Sequence, residues 1–180
     1  MKYSKVLLAG DYSKRNGKFG IVVPNKNFES YFLKDGRDFP IDECRDVELI
    51  WSKNNMSDQI LADYQLTLHF GRAISHRLKV ILEKFSDSNV FFFPIPVAHK
   101  DSVKEQYYIL HFSKILDVID PDNLYLTSPL PIVLPDKLLG IDVFNIDEGL
   151  GRSFCISDKV RGEMQKAKIT GCSYASISKD

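Results

Sequence analysis

Two stretches of this chain carry a helical stripe of apolar residues, and the same short signature introduces both. Ile74-Ser75 leads into Leu78, Ile81, Leu82 and Phe85, the spacing of one helix face. Ile156-Ser157 leads into Val160, Met164 and Ala167. Each Ser is placed to accept a hydrogen bond from an unpaired first-turn N–H, which marks a helix start. Basic, apolar and basic residues follow the Ile at the same distance in both, as Arg77-Leu78-Lys79 and Lys159-Val160-Arg161. Asp158 in the first turn and Lys166 in the last complement the dipole of the second helix. Gly162 weakens it by about 1 kcal/mol relative to Ala. An apolar run suited to a strand follows each helix at matching distance, residues 91–95 and 173–177. The pattern predicts a weak internal repeat of strand–helix–strand units.

The rest of the chain reads mostly as strand and turn. Residues 6–9, 19–23, 28–33 and 47–51 are short runs with apolar, aromatic or β-branched residues, and Asn16-Gly17 and Asp35-Gly36 are turn signals. Residues 90–95 are almost wholly apolar and are expected to form a buried strand closed off by Pro94 and Pro96. A strand over 107–118, bent near Ser113-Lys114, is expected next, with shorter ones at 124–127, 141–146 and 153–156 and a last one at 172–177. Pro129, Pro131 and Pro135 keep their stretch irregular or at a sheet edge. The expected fold is α+β, mostly antiparallel sheet with two principal helices at about 75–85 and 158–167, as a two-lobe pseudo-repeat. Residues 1–60 form a β-rich N-terminal part packed with the region 61–180.

Composition narrows the function. At 180 residues, 44% hydrophobic and 12% aromatic, the chain suits one domain or a compact pair of sub-domains with a substantial core. Its 24 Lys and Arg balance 24 Asp and Glu, without the basic excess of a protein that grips phosphates, so no direct nucleic-acid partner is expected. Cys44, Cys155 and Cys172 form no Cys-x-x-Cys pair and suit neither a disulfide framework nor a zinc site. They are read as reduced thiols of a cytoplasmic protein. The apolar run at 6–9 is too brief for a signal-peptide core, and no segment suits a bilayer span, so no membrane association is expected.

Catalytic signals are weak. His69, His76, His99 and His111 form no His-x-x-x-His pair, and a zinc site needs three or four converging ligands. Gly149-Leu150-Gly151-Arg152 precedes a strand rather than a helix, which is the wrong setting for a phosphate cradle and reads as a turn. No catalytic residue, cofactor or metal is assigned. Two other readings stay open: a small cytosolic hydrolase using Cys44 or Cys155 with a histidine, and a nucleic-acid-binding module using the basic ends of the chain. Those ends hold Lys2, Lys5, Lys14, Arg15 and Lys18 at the front, and Lys159, Arg161, Lys166 and Lys168 at the back.

Several short stretches taken in order carry a family resemblance. They are Ala62-Asp63-Tyr64, Ile74-Ser75 with its helix, Tyr107-Tyr108-Ile109-Leu110, Val118-Ile119-Asp120, Gly140 to Phe144, and Ile156-Ser157 through Gly171. From about residue 62 to 177 the chain resembles immunity proteins of bacterial polymorphic toxin and contact-dependent growth inhibition systems, with two strand–helix–strand modules in tandem. The resemblance implies a non-enzymatic protein that binds a cognate toxin C-terminal domain and neutralises it. Many such toxins act on nucleic acid through basic sites, so an acidic surface is the expected complement. Residues 35–48 form an acidic stretch, with six carboxylates against Arg37 and Arg45. Asp38, Asp42, Glu43 and Asp46, with nearby Trp51 as an anchor, are the expected partner-binding residues. Asp117, Asp120, Asp122, Asp136, Asp142, Asp147 and Glu148 read as solvated loops or further acidic surface.

Overall fold

The computed structural model describes residues 1–9, 17–26, 35–55, 57–68, 71–99, 103–123, 131–146 and 153–178. The strands are β1 (Tyr3–Leu8), β2 (Val22–Pro24), β3 (Leu49–Trp51), β4 (Tyr64–Gln65), β5 (Arg72–Ser75), β6 (Val90–His99), β7 (Val103–Phe112), β8 (Val143–Phe144), β9 (Ser153–Ser157) and β10 (Cys172–Ser176). The helices are a single turn, α1 (Ile41–Cys44), and two longer ones, α2 (His76–Glu83) and α3 (Asp158–Lys166). The fold is α+β. Of the described strand pairs only β3–β6 is parallel. The strands expected at 28–33 and 124–127 and the turn at 149–152 lie outside the described residues.

Both principal helices begin where the serine signature places them. Ser75 Oγ accepts from the Leu78 N–H at 3.2 Å, and Ser157 Oγ accepts from the Val160 N–H at 3.5 Å. Each hydroxyl also donates to a carboxylate, Asp63 for Ser75 and Asp142 for Ser157. The backbone N–H of each Ser donates to the carbonyl of that same Asp, at 2.8 and 2.9 Å. Each helix N-terminus is thereby fastened to the residue that enters the neighbouring edge strand, β4 or β8.

The repeat is a repeat of topology. Four strands of the six-stranded sheet run β6-β7-β5-β4, and the four-stranded sheet runs β10-β1-β9-β8. In the first unit β5, α2 and β6 form a strand–helix–strand crossover, and β7 lies between the two strands, antiparallel to both. In the second unit β9, α3 and β10 do the same around β1. The centre of the first unit is its last strand, whereas the centre of the second is the first strand of the chain. Registers match as well: Tyr107 faces Ser75, and Tyr3 faces Ser157. Both phenols donate to a backbone carbonyl, Ala62 at 2.9 Å and Leu138 at 3.0 Å. A division at residue 60 therefore separates β1 from the strands that flank it.

The units share one core. Several of its buried residues are equivalent in the two units: Ile74 with Ile156, Leu78 with Val160, Leu82 with Met164 and Leu110 with Val6. Arg77 at the start of α2 donates to the Ala167 carbonyl beyond α3 at 2.6 Å, and Lys159 at the start of α3 lies over the Phe85 ring beyond α2 at 4.9 Å. The two helices thus run antiparallel about a pseudo-two-fold axis. A second cluster, with Val47, Leu49, Ile95, Val97, Tyr107 and Ile109, lies on the other face of the larger sheet.

Several strand bounds differ from the sequence expectation: β1 is Tyr3–Leu8 rather than 6–9, β2 is Val22–Pro24 rather than 19–23, β3 is Leu49–Trp51 rather than 47–51, and the largest differences lie in β6, β7 and β8. β6 does not stop at Pro94 but pairs with β7 through both prolines to His99. Proline breaks a ladder only where its missing N–H is needed. The other flank of β6 meets β3 first at Val97, so no described strand needs the N–H of Pro94 or Pro96. β7 begins at Val103 and ends at Phe112 rather than spanning 107–118, and the strand expected at 141–146 is only Val143–Phe144.

Each capping serine serves two partners, so Ser75→Ala and Ser157→Ala are each expected to cost about 1–2 kcal/mol, the upper half of the range for N-cap loss. Urea unfolding checks this, with Ser173→Ala, exposed on the edge strand β10, as the control expected within about 0.5 kcal/mol of wild type.

Candidate functional site

The acidic stretch begins with a residue that faces inward. Asp35 and Arg72 form an ion pair at 2.7 Å with side chains each 1% exposed, close by distance but without the angular alignment of a hydrogen bond. Asp35 Oδ1 accepts from the Phe112 N–H at 3.0 Å, and Oδ2 accepts from Asn145 Nδ2 at 2.6 Å. Arg72 Nε donates to the Ser153 carbonyl at 2.7 Å, and its guanidinium lies 5.1 Å from the Phe112 ring centre. His111 Nε2 is 2.7 Å from the Arg37 carbonyl, which only accepts, so this nitrogen carries the proton. Its Nδ1 is 3.6 Å from Asp35. Gly36, at φ 79°, gives the turn that its sequence signals, and its N–H donates to the Phe112 carbonyl. Asp35-Gly36 thus continues the ladder beside β7 beyond the first residue of β5, Arg72.

Above this network the larger sheet carries a row of aromatic rings. Phe91, Phe93 and His111 share one face of the β6–β7 hairpin, with Phe91 opposite His111. Phe39 stacks on Phe93 with ring centres 3.6 Å apart and planes 10° apart, and meets His111 edge-on at 5.4 Å. Phe91 continues the row 6.1 Å from Phe93. Asp38, Ile41 and Ser113 complete a groove of about 260 Å³. Ile41 is 60% exposed and Phe91 40%, so the mouth of the groove is apolar surface in water.

The expected partner-binding residues divide between two places. Asp38 is exposed at the groove rim. Asp42 and Asp46 are exposed on and after α1, and Asp42 pairs with Arg45 at 2.7 Å on the surface. The backbone of Glu43 lies in α1, and its side chain is outside the described residues. Trp51 is on β3, half-buried against the second core cluster. A Cβ on Gly20 would overlap its indole ring, so the glycine is what admits the tryptophan there.

Three carboxylates expected at the surface turn inward instead. Asp35 is in the network, Asp142 holds the cap of α3, and Asp120 is 4% exposed with Oδ1 accepting from the Asp122 N–H. The basic residues of α3 also have partners within the chain. Lys159 lies 3.7 Å from Asp142, Arg161 donates to Ser4 and covers the Tyr174 ring, and Lys166 pairs with Glu163 at 2.8 Å. Asp147, Glu148 and His69 lie outside the described residues.

Cys155 is fully buried in β9, Cys44 is half-buried against the second cluster, and Cys172 donates to the Tyr174 hydroxyl at 3.4 Å. Burial pushes the Cys172 thiol above its ordinary pKa, which disfavours the thiolate. His76 stands on the exposed side of α2 near the Tyr108 hydroxyl, at 3.4 Å. Among the described residues no group of three or more His, Cys, Asp or Glu is placed to hold a metal ion, and no helix is long and apolar enough to cross a membrane. What the site offers is an apolar concavity with Asp38 at its rim. No protein-family model and no curated protein sequence matches this chain.

Sequence reading missed the groove because Phe39, Ile41, Phe91 and Phe93 belong to two separate segments that only the fold brings together. Phe39 and Ile41, apolar residues within the acidic stretch, were the available signal.

Removing one partner of the buried pair leaves the other uncompensated, so Asp35→Ala is expected to cost about 3–5 kcal/mol in chemical denaturation. The double variant Asp35→Leu/Arg72→Met is expected to lose far less than the sum of the two single losses. A second expectation concerns pH. Burial raises the pKa of Cys172 and of the Tyr64, Tyr107 and Tyr174 phenols. The folded state therefore keeps protons that the unfolded chain releases, and this stability is intact below the unfolded values of about 8.5–10 and lost as pH rises above them. The urea midpoint is expected to fall steadily between about pH 8 and pH 10.5, and a flat profile would contradict the assignment.

Proposed function

We propose that this protein is a cytoplasmic immunity protein that binds the C-terminal domain of a cognate bacterial toxin and neutralises it by stoichiometric protein–protein inhibition, without chemistry of its own. The observation that carries the reading is the pair of strand–helix–strand units between residues 62 and 177, the stretch whose motifs resemble such proteins. Their capping Asp–Ser pairs, shared core and antiparallel helices make a framework, and the framework presents an acidic and apolar surface outside itself. Asp38, Asp42 and Asp46 are exposed on one segment, which suits a partner with a basic cleft such as a nuclease. Complementary charge there accelerates encounter and selects the partner more than it adds affinity.

Charge reversal of Asp38, Asp42 and Asp46 to Lys is expected to lower the association rate about tenfold at low salt and to flatten its salt dependence. The test is co-expression of this protein with the C-terminal domain encoded directly upstream, followed by binding kinetics on the purified pair. A neighbour that kills cells alone and co-purifies harmlessly with this protein meets the expectation. A harmless neighbour that does not co-purify removes the reading, and unchanged kinetics in the charge-reversal variant remove the placement of the surface.

A further inference from the structure

We infer that the groove between α1 and the β6–β7 hairpin is an anchor pocket for one large apolar or aromatic side chain of a protein partner, with an adjacent Lys or Arg meeting Asp38 at the rim. This rests on the binding role proposed above and specifies how the partner is held. The volume, about 260 Å³, lies below the roughly 300–1,000 Å³ of pockets that enclose drug-sized ligands, and it suits a side chain rather than a cofactor. The walls are aromatic, Phe39 stacked on Phe93 with Phe91 continuing the row, and they offer faces and edges to a ring. Single exposed apolar residues are ordinary on protein surfaces. Here Ile41 and Phe91 are both exposed and line one concavity, the arrangement of a binding hot spot.

Two further observations favour a basic, protein partner. The segment that forms the lip, residues 36–47, carries Asp38, Asp42, Glu43 and Asp46 against Arg37 and Arg45. Asp35, next in sequence, is neutralised internally by Arg72 and adds nothing to the outer field. The floor is also held rigid. His111 is held by its Nε2 hydrogen bond to the Arg37 carbonyl, and Phe91 opposes it in a ten-residue hairpin strand. A pocket already in its bound shape costs little ordering on association, so its contacts appear in affinity.

The first arm of the test needs no toxin. The isotope-labelled full chain is titrated with the dipeptide amides acetyl-Trp-Arg-amide and acetyl-Trp-Glu-amide, and amide shifts are read at Ile41, Phe91 and Ser113. The expected result is that the Arg peptide shifts these residues at a several-fold lower concentration than the Glu peptide, with the preference lost in Asp38→Asn and at high salt. No shift at the groove, or equal response to both peptides, overturns the inference. The second arm uses the upstream toxin domain. Phe91→Ala and Ile41→Ala change exposed side chains, and each is expected to raise Kd by about tenfold or more while melting temperature holds. Neutralisation by wild type with unchanged Kd in both variants overturns the pocket and leaves the immunity reading standing. If the wild type does not bind the domain at all, the immunity reading falls, and the peptide arm alone decides the pocket.

Discussion

The buried ion pair between Asp35 and Arg72 is where the two sheets and the groove are held to one another. Arg72 is the first residue of β5 and reaches the carbonyl of Ser153, the first residue of β9. Asp35 takes Asn145 from just beyond β8 and the N–H of Phe112 at the end of β7. A buried pair repays its desolvation only when further hydrogen bonds satisfy the remaining atoms. Here those bonds come from three separate segments, at Ser153, Asn145 and Phe112, so the network fixes their relative positions more than it adds net stability.

The duplicated units show how one pattern can be built from two different chain orders. β7 follows its unit, whereas β1 precedes everything and is inserted between β9 and β10. The same serine, aspartate and tyrosine positions recur in both. The symmetry is broken where Thr170 binds Asp63, giving three hydrogen bonds between the units. It is broken again where β2 and β3 extend only the larger sheet. The segment from Phe39 to Val47, with α1, covers one face of that sheet and stops short of Phe91, and the end of that cover is the groove.

Framework and candidate site share the β6–β7 hairpin, which gives the groove Phe91, Phe93 and His111, and otherwise draw on different parts of the chain. The serine caps, helix stripes and central strands lie in the two units, while the groove lip and acidic rim lie in the segment between Asp35 and Leu49. His111 joins them, with one nitrogen toward the buried carboxylate and its ring forming the groove floor.

Much of this was legible in the sequence. Ser75 and Ser157 marked both helix starts, because capping is a local bond between a side chain and an amide three residues on. The stripes from Leu78 and Val160 marked the buried faces, and the Asp35-Gly36 turn was real. What the sequence alone did not determine was the direction of individual carboxylates and prolines. Asp35 and Asp142 read as surface charge, yet each faces inward, because its partner comes from a distant residue, Arg72 or Ser157. Pro94 and Pro96 read as strand ends, yet the strand continues, because what matters is whether a neighbour needs their missing N–H. Local propensity is written in adjacent residues. Burial of charge, strand order and the meeting of Phe39 with Phe93 depend on which distant segments are brought together, and tertiary packing alone decided them.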